Sequence, residues 1–280
     1  MYSVPLNKAL ASAIDAAKAA GALMRKNLMA EKKANEITSH DIKLELDVRC
    51  QKLIERKLHA AFPKIALLGE EGDAGDQDAK YRWVVDPIDG TVNFAHGIPH
   101  ASVSIALQKK VEGRGSKVES KTRRASQPEI PNSKHETLLG VVYDPFQDEL
   151  WTAVRGQPAR MNGRVIRVSK ARQLKDCIVS IGFAKNRSNL ERALPYFIWL
   201  ARRVMKIRMM GSAALALTYV ATGRLDVYIE RGISLWDIAA GGLILECAGG
   251  KFWYETTPGR HKYRMIASNG LVHKKLPPPK

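Results

Sequence analysis

The chain has 280 residues, of which 45 % are hydrophobic, and a formal net charge of +17. This length and apolar content suffice for one large domain or two tightly joined smaller ones and exclude wholesale disorder. The lack of an apolar run of about 18 residues argues against a transmembrane helix. The excess of positive charge favours an anionic partner, which leaves open a phosphorylated substrate, nucleic acid or an acidic membrane surface.

The N-terminal segment has no basic stretch followed by a continuous apolar core, so it does not resemble a secretory signal. Its apolar residues recur at steps of three or four, which predicts an amphipathic helix over residues 6–29. A second helix is predicted over residues 42–61, and its apolar stripe runs backwards from Cys50 onto Asp47. A carboxylate on a core-facing stripe is costly to bury unless it is paired, so Asp47 is a candidate functional residue.

The middle of the chain reads as strands separated by polar turns. "KIALLGEEG" predicts a strand that breaks at Gly69, and "GDAGDQDAKYR" predicts a polar loop. Further strands are predicted at "ASVSIALQ", "TLLGVVYD", "ELWTAV" and "CIVSIGF". Residues 109–136 are polar and basic without an apolar period, which indicates a mobile insertion. It serves either as a solvated linker or as an arm that binds anions or nucleic acid.

The second half alternates helices with strands. Helices are predicted over residues 191–205, 212–222 and 236–247, with strands at "KIRMM", "RLDVYIE", "GKFWYE" and "YRMIAS" and a short tail over 271–280. This pattern favours a layered α+β architecture over a simple Rossmann sheet. We expect a single domain over residues 1–280, with two sheet-containing halves at roughly 1–180 and 181–270.

Three cysteines, Cys50, Cys177 and Cys247, lie far apart and form no C-x-x-C pair. A disulfide framework or a zinc site needs more cysteines at closer spacing. The pattern is typical of reduced thiols in a cytoplasmic protein.

The stretch "WVVDPIDGTVNF" places two carboxylates directly after a buried strand. Pro87 turns the chain after Asp86, and Gly90 permits an unusual backbone conformation and the close approach of a ligand. Asp86 and Asp89, crowded at a strand end, would repel each other, and a hard cation such as Mg²⁺ relieves that repulsion. The amides of Gly90 and Thr91, at a predicted helix start, would face an anion. An ordinary turn with capping aspartates is the alternative.

Two further acidic residues strengthen the metal hypothesis. Glu70 follows another predicted strand in "GEEG", and Asp237 lies in the first turn of the apolar helix "LWDIAAGGLILECAGG". Asp237 could serve the helix dipole alone, but apolar neighbours on both sides indicate that it points into a protected site.

Together, "GEE", "WVVDPIDGTVNF" and "WDIAAGGLILECAGG" resemble the signature motifs of the inositol monophosphatase family, and the similarity covers about residues 6–268. The resemblance implies a layered α/β/α/β/α sandwich of the inositol monophosphatase and fructose-1,6-bisphosphatase type. It also implies a Mg²⁺-dependent, lithium-sensitive phosphomonoesterase that forms homodimers. Hydrolysis would proceed through a metal-activated water without a covalent intermediate.

The resemblance also implies roles for individual residues. Those that match the family's metal ligands are Glu70, Asp86, the Ile88 carbonyl, Asp89 and Asp237. Gly90 and Thr91 match its phosphate-binding amides, and Thr91 with Asp47 matches the pair that activates water, beside Glu70. Those that match its substrate contacts are Asp89, Gly211, Ser212, Ala213 and Glu230.

The sequence departs from the family pattern in Val92, where a second threonine is usual, and in the segment "DIKLELD" that leads into Asp47. Inositol monophosphate or a similar polyol phosphate is the expected substrate. Histidinol phosphate, fructose 1,6-bisphosphate and 3′-phosphoadenosine compounds are the alternatives within the superfamily. A nucleic-acid- or protein-binding role of the basic surface is the alternative from another class, although such a protein would gain nothing from four clustered acids.

Overall fold

The computed structural model describes residues 3–30, 34–37, 42–111, 135–183 and 187–279. The α-helices in these ranges are α1 (Leu6–Asn27), α2 (Glu45–Ala61), α3 (Thr91–Ala95), α4 (Arg187–Ala201), α5 (Ala213–Ala221) and α6 (Leu235–Cys247). The strands are β1 (Ala34–Ile37), β2 (Ile42–Leu44), β3 (Ala66–Gly69), β4 (Gly72–Ala74), β5 (Tyr81–Asp89), β6 (Ser102–Lys110), β7 (His135–Asp144), β8 (Glu149–Val154), β9 (Arg160–Met161), β10 (Arg164–Val165), β11 (Ile178–Ile181), β12 (Lys206–Arg208), β13 (Val227–Ser234), β14 (Lys251–Thr256) and β15 (Lys262–Ser268).

Most strands belong to two mixed sheets. The larger sheet has the order β10-β9-β8-β7-β6-β5-β3-β4, in which only the pair β3 and β5 is parallel. The smaller sheet has the order β12-β11-β13-β15-β14, with β11 parallel to both of its neighbours. The short strands β1 and β2 form a separate antiparallel pair.

The helices and sheets stack in five layers. Helices α1 and α2 cover one face of the larger sheet, and α5 and α6 fill the space between the two sheets. Helix α4 packs on the outer face of the smaller sheet through Leu200. This arrangement confirms the predicted layered α/β/α/β/α sandwich of α+β class.

Strand β5 is apolar without alternation because both of its faces are covered. Trp83 and Val85 belong to the core under α1 and α2, whereas Val84 faces the layer of α5 and α6. A strand buried on both faces reads as a continuous hydrophobic run. Strand β5 therefore carries its terminal carboxylates into the interior, between the helical layers.

Close packing of α6 on the larger sheet depends on a glycine. A Cβ atom at Gly140 of β7 would lie 2.7 Å from the carbonyl oxygen of Ala240 and 3.0 Å from its Cα. Backbone atoms cannot yield as a flexible side chain does, so the absent Cβ sets the distance between β7 and α6. This distance also places the N-terminal turn of α6.

Several predicted boundaries were wrong. The second helix begins at Glu45 and not at residue 42, because the Asp47 carboxylate accepts a hydrogen bond from the Leu44 amide at 2.7 Å and caps the helix there. Helix α4 spans Arg187–Ala201 and not 191–205. After Ala201 the amides of Arg203 and Val204 both donate hydrogen bonds to the Leu200 carbonyl, so the regular helical pattern ends there.

The polar loop after β3 contains one further strand, β4, which closes a tight hairpin with β3. The ends of the predicted insertion at 109–136 are strand residues, since β6 extends to Lys110 and β7 begins at His135. Residues 112–134 lie outside the described part of the chain. No helix in the described ranges combines the length and apolar character that a membrane crossing demands.

Candidate active site

The two aspartates after the apolar run converge through a break in the pairing of β5. The register between β5 and β6 shifts between Asp86 and Asp89, where β5 has one residue more than the facing part of β6. The Ile88 amide donates to Asp86 Oδ1 at 3.1 Å, and Gly90 has a φ of 94°, a conformation that favours glycine. This turn brings both carboxylates to one side of the chain.

Asp237 reaches the same place from the first turn of α6. Its Oδ2 accepts a hydrogen bond from the Ser234 amide at 2.8 Å, which fixes the carboxylate at the helix start. Oxygen atoms of Asp86, Asp89 and Asp237 all lie within 4.8 Å of one another. Glu70, at the end of β3, lines the same cavity.

Asp89 also caps helix α5. Its Oδ1 accepts from the Ala213 amide at 3.0 Å and its Oδ2 from the Ala214 amide at 2.9 Å, and the Ser212 hydroxyl donates to Oδ2 as well. A carboxylate at a helix N-terminus satisfies amides that have no partner within the helix. Asp89 therefore joins the end of β5 to the helical layer between the sheets.

Burial and mutual repulsion raise the pKa values of this cluster. The pKa of Asp86 lies well above its usual value, first because of burial and then because of Glu70, Asp89, Asp237 and Asp47. Burial and Asp237 raise the pKa of Asp89 to about 6, against the lowering effect of its hydrogen bonds from Ser212, Ala213 and Ala214. Burial and neighbouring carboxylates disfavour the ionised form of each acid, and a bound cation stabilises that form. The all-oxygen donor set fits Mg²⁺.

The turn after Asp86 and the short helix α3 form another part of the cavity wall. Ile88, Gly90 and Thr91 all line the cavity, and the Thr91 hydroxyl donates to the Ile88 carbonyl oxygen at 2.9 Å. Asn93 donates through Nδ2 to the carbonyls of His100 and Met210, each at 2.9 Å. Asn93 thereby ties α3 to the loop that precedes α5.

Asp47 lies behind the cavity wall rather than among its lining residues. It is buried on α2, where its Oδ2 caps the helix, and it is close enough to raise the pKa of Asp86. The structure thus brings Asp47 near the carboxylate cluster, while the Thr91 hydroxyl donates to Ile88 and not to Asp47.

The remaining sequence-predicted residues lie on the side of the cavity formed by the smaller sheet and α5. Gly211, Ser212, Ala213 and Glu230 all line a cavity of about 400 Å³ together with the acidic cluster. Sequence reasoning did not identify Ser180, Gly182 and Tyr228, which line it as well. The period of two along β13 offered a signal for Tyr228, since it places Tyr228 and Glu230 on one face.

A sequence model of the inositol monophosphatase family matches residues 6–116 and 132–276 of this chain. Nus factor SuhB of Pseudomonas aeruginosa is 37% identical over 246 residues, which cover 85% of this chain and 82% of that protein. Inositol monophosphatase of Mesembryanthemum crystallinum is 35% identical over 282 residues, 96% of this chain and 94% of that protein.

Among solved structures, extragenic suppressor protein suhB of Bartonella henselae superposes with a TM-score of 0.80 at 33% identity and covers 95% of both chains. The fold and the comparisons define a phosphatase of the phosphoric monoester hydrolase class. The chain belongs to the inositol monophosphatase family.

Proposed function

We propose that this protein is a Mg²⁺-dependent phosphomonoesterase that hydrolyses inositol monophosphate or a similar small polyol phosphate. The observation that carries the proposal is the convergence of Asp86, Asp89 and Asp237 within 4.8 Å at the wall of a cavity large enough for a sugar phosphate. The names of relatives such as the inositol monophosphatase of Mesembryanthemum crystallinum support this substrate class.

The residues that would hold Mg²⁺ are Glu70, Asp86, the Ile88 carbonyl, Asp89 and Asp237. When bound, Mg²⁺ supplies a Lewis acid and lowers the pKa of a coordinated water. The amides of Gly90 and Thr91 would bind the phosphate of the substrate. Asp47 and Thr91 would orient the attacking water, and Asp47 would act from behind the wall.

The alcohol part of the substrate would contact Gly211, Ser212, Ala213 and Glu230. Hydrolysis then requires no nucleophilic side chain, and the three cysteines are free thiols outside the cavity lining. Free thiols agree with a cytoplasmic location, and we expect a homodimer, as the family resemblance implies.

The test measures phosphate release from inositol 1-phosphate, histidinol phosphate, fructose 1,6-bisphosphate and 3′-phosphoadenosine 5′-phosphate, with Mg²⁺ and with a chelator. We expect chelator-sensitive turnover, highest on inositol 1-phosphate. Faster turnover of another ester would identify that ester, and not a polyol phosphate, as the preferred substrate. Absence of turnover on all four by a folded protein would contradict the proposal.

A second candidate function rests on the outer face of α2. Arg49, Lys52, Arg56 and His59 are exposed at steps of three and four, so they form one basic stripe on the helix. Several relatives are named Nus factor SuhB, which favours a macromolecular partner in addition to catalysis. We propose RNA as the polyanion that this stripe contacts.

Binding of a single-stranded RNA, measured by fluorescence anisotropy at rising salt, tests this second candidate. We expect the affinity to fall steeply with salt and to weaken in the double variant Lys52→Gln and Arg56→Gln. The matched control is Lys18→Gln with Arg25→Gln on α1, whose side chains are also exposed. Equal affinity for both double variants would contradict a role of α2.

A further inference from the structure

Three residues of the smaller sheet, together with Gly182 directly after β11, form one side of the active-site cavity. Strands β11 and β13 are parallel, and Ser180 pairs with Tyr228. Residues two positions further along each strand face the same way, so Gly182 and Glu230 continue this patch. The Gly182 amide donates to the Ile229 carbonyl at 3.0 Å, which keeps the two strands in register at this end.

Tyr228 makes a direct contact with Glu230. Its side chain is only 3% exposed, and its hydroxyl donates a hydrogen bond to Glu230 Oε2. Burial, Glu230, Asp89 and Asp237 all raise the pKa of Tyr228 well above its usual value. The phenol therefore stays protonated and remains a donor.

Gly182 leaves the space that the Glu230 carboxylate occupies. A Cβ atom at this position would overlap Glu230 Oε2 and the carboxyl carbon. The carboxylate is thus confined between the Tyr228 hydroxyl on its own strand and the bare backbone of the neighbouring strand. A long acidic side chain that is already confined loses less rotamer freedom when it binds a ligand.

We propose that Tyr228 and Gly182 are positioning residues that hold Glu230 as the acceptor for a distal hydroxyl of the substrate alcohol. The inference rests on the proposed function, which takes Glu230 as a contact of the substrate alcohol, and it concerns the two residues that hold Glu230 in place. Tyr228 acts through Glu230 and does not touch the reacting atoms.

Two esters separate this role from catalysis, because cyclohexyl phosphate has the ring of inositol 1-phosphate without its distal hydroxyls. The measured quantity is the ratio of kcat/KM for inositol 1-phosphate to kcat/KM for cyclohexyl phosphate. Loss of a hydrogen bond to a charged acceptor corresponds to about tenfold in this ratio. We expect such a fall in Tyr228→Phe, mainly through KM for inositol 1-phosphate, with cyclohexyl phosphate turnover within about twofold of wild type.

Gly182→Ala tests the same role without touching Tyr228, and we expect it to lower the ratio in the same direction. The double variant Tyr228→Phe with Glu230→Gln should lose no more than Glu230→Gln alone, because one residue acts through the other. Tyr263→Phe is the matched control, since Tyr263 lies on β15 of the same sheet but not in the cavity lining. The Mg²⁺ concentration for half-maximal turnover should match wild type in Tyr228→Phe, and the variant should unfold in one cooperative transition at a lower temperature, because a buried hydrogen bond is lost.

An equal fall in kcat/KM for both esters in Tyr228→Phe would overturn this inference and leave the proposed function intact. Additive falls in kcat/KM in the double variant would do the same. A wild-type enzyme that hydrolyses both esters equally well would also overturn it while the proposed function stands. A folded wild-type protein that hydrolyses neither ester would contradict the proposed function and this inference together.

Discussion

The hydroxyl of Ser212 donates a hydrogen bond to the carboxylate of Asp89, across 123 positions of the chain. Ser212 Oγ also accepts from the Leu215 amide at 3.3 Å, so one serine both caps α5 and fixes a proposed metal ligand. The placement of the central helical layer and the geometry of the acidic cluster thus depend on the same few atoms.

This double role predicts the effect of Ser212→Ala. Loss of a serine N-cap costs about 1 kcal/mol, so the free energy of unfolding in urea should fall by about this amount. Ser12→Ala is the control, because the Ser12 hydroxyl only donates to the Lys8 carbonyl of its own helix, and its effect should stay below about 0.5 kcal/mol. Equal stability of Ser212→Ala and wild type would contradict the capping role.

The raised pKa values of the acidic cluster predict how Asp86→Asn changes stability with pH. When a folded pKa is raised, as for Asp86 and Asp89, the folded state binds more protons than the unfolded state between the unfolded pKa of 3.8 and the folded pKa. The metal-free protein should therefore lose stability as pH rises from about 4 through about 6.

Asp86→Asn removes one of these charges, so without divalent ions its stability relative to wild type should improve between pH 5 and pH 7. Urea unfolding at both pH values measures this difference. Parallel pH dependences of the two proteins would refute the electrostatic account of the cluster.

His273 predicts acid sensitivity of a different origin. Burial and Lys251 lower its pKa to about 4, and its Nδ1 lies 2.9 Å from the Ser268 hydroxyl. Because the unfolded state binds more protons at this histidine between about pH 4 and 6.5, the contribution of His273 to stability falls as pH decreases through this range. The unfolding free energy at pH 5 relative to pH 7 should therefore be higher in His273→Gln than in wild type. An identical pH dependence of the two proteins would exclude this contribution of His273.

Gly140→Ala tests the spacing between β7 and α6. The added Cβ would meet the backbone of Ala240, so α6 must shift, at a cost of about 1–3 kcal/mol in unfolding free energy. Because α6 carries Asp237, the Mg²⁺ concentration for half-maximal turnover should rise as well. Val165→Ala, at an exposed position on the edge of the same sheet, should change neither quantity. A stable Gly140→Ala with unchanged Mg²⁺ dependence would show that the helix can yield there.

Local sequence patterns predicted individual helices and strands because apolar periodicity and turn residues act over short distances. Examples are the buried strand before Asp86 and the small-residue helices α5 and α6. The five-layer sandwich was implied by the family resemblance. The predicted start of α2 was wrong because the Asp47 side chain caps the helix at Leu44, and apolar periodicity contains no information about such a cap.

Contacts between distant segments could not be predicted from local patterns. The bonds of Asp89 with the start of α5 join residues 123 to 125 positions apart, and no spacing rule connects them. The fit of Glu230 against Gly182 likewise depends on which strands are neighbours in the smaller sheet. The resemblance to the family supplied the candidate ligands, whereas the structure shows which of them share one cavity.

The most direct test of the central claim is Mg²⁺-dependent phosphate release from inositol 1-phosphate by wild type and Asp86→Asn, with calorimetric titration of Mg²⁺ into both proteins. We expect turnover and Mg²⁺ binding in the wild type and a loss of both in a folded Asp86→Asn. Turnover that persists in the variant, or in the wild type after complete removal of divalent ions, would contradict a metal-dependent mechanism at this site.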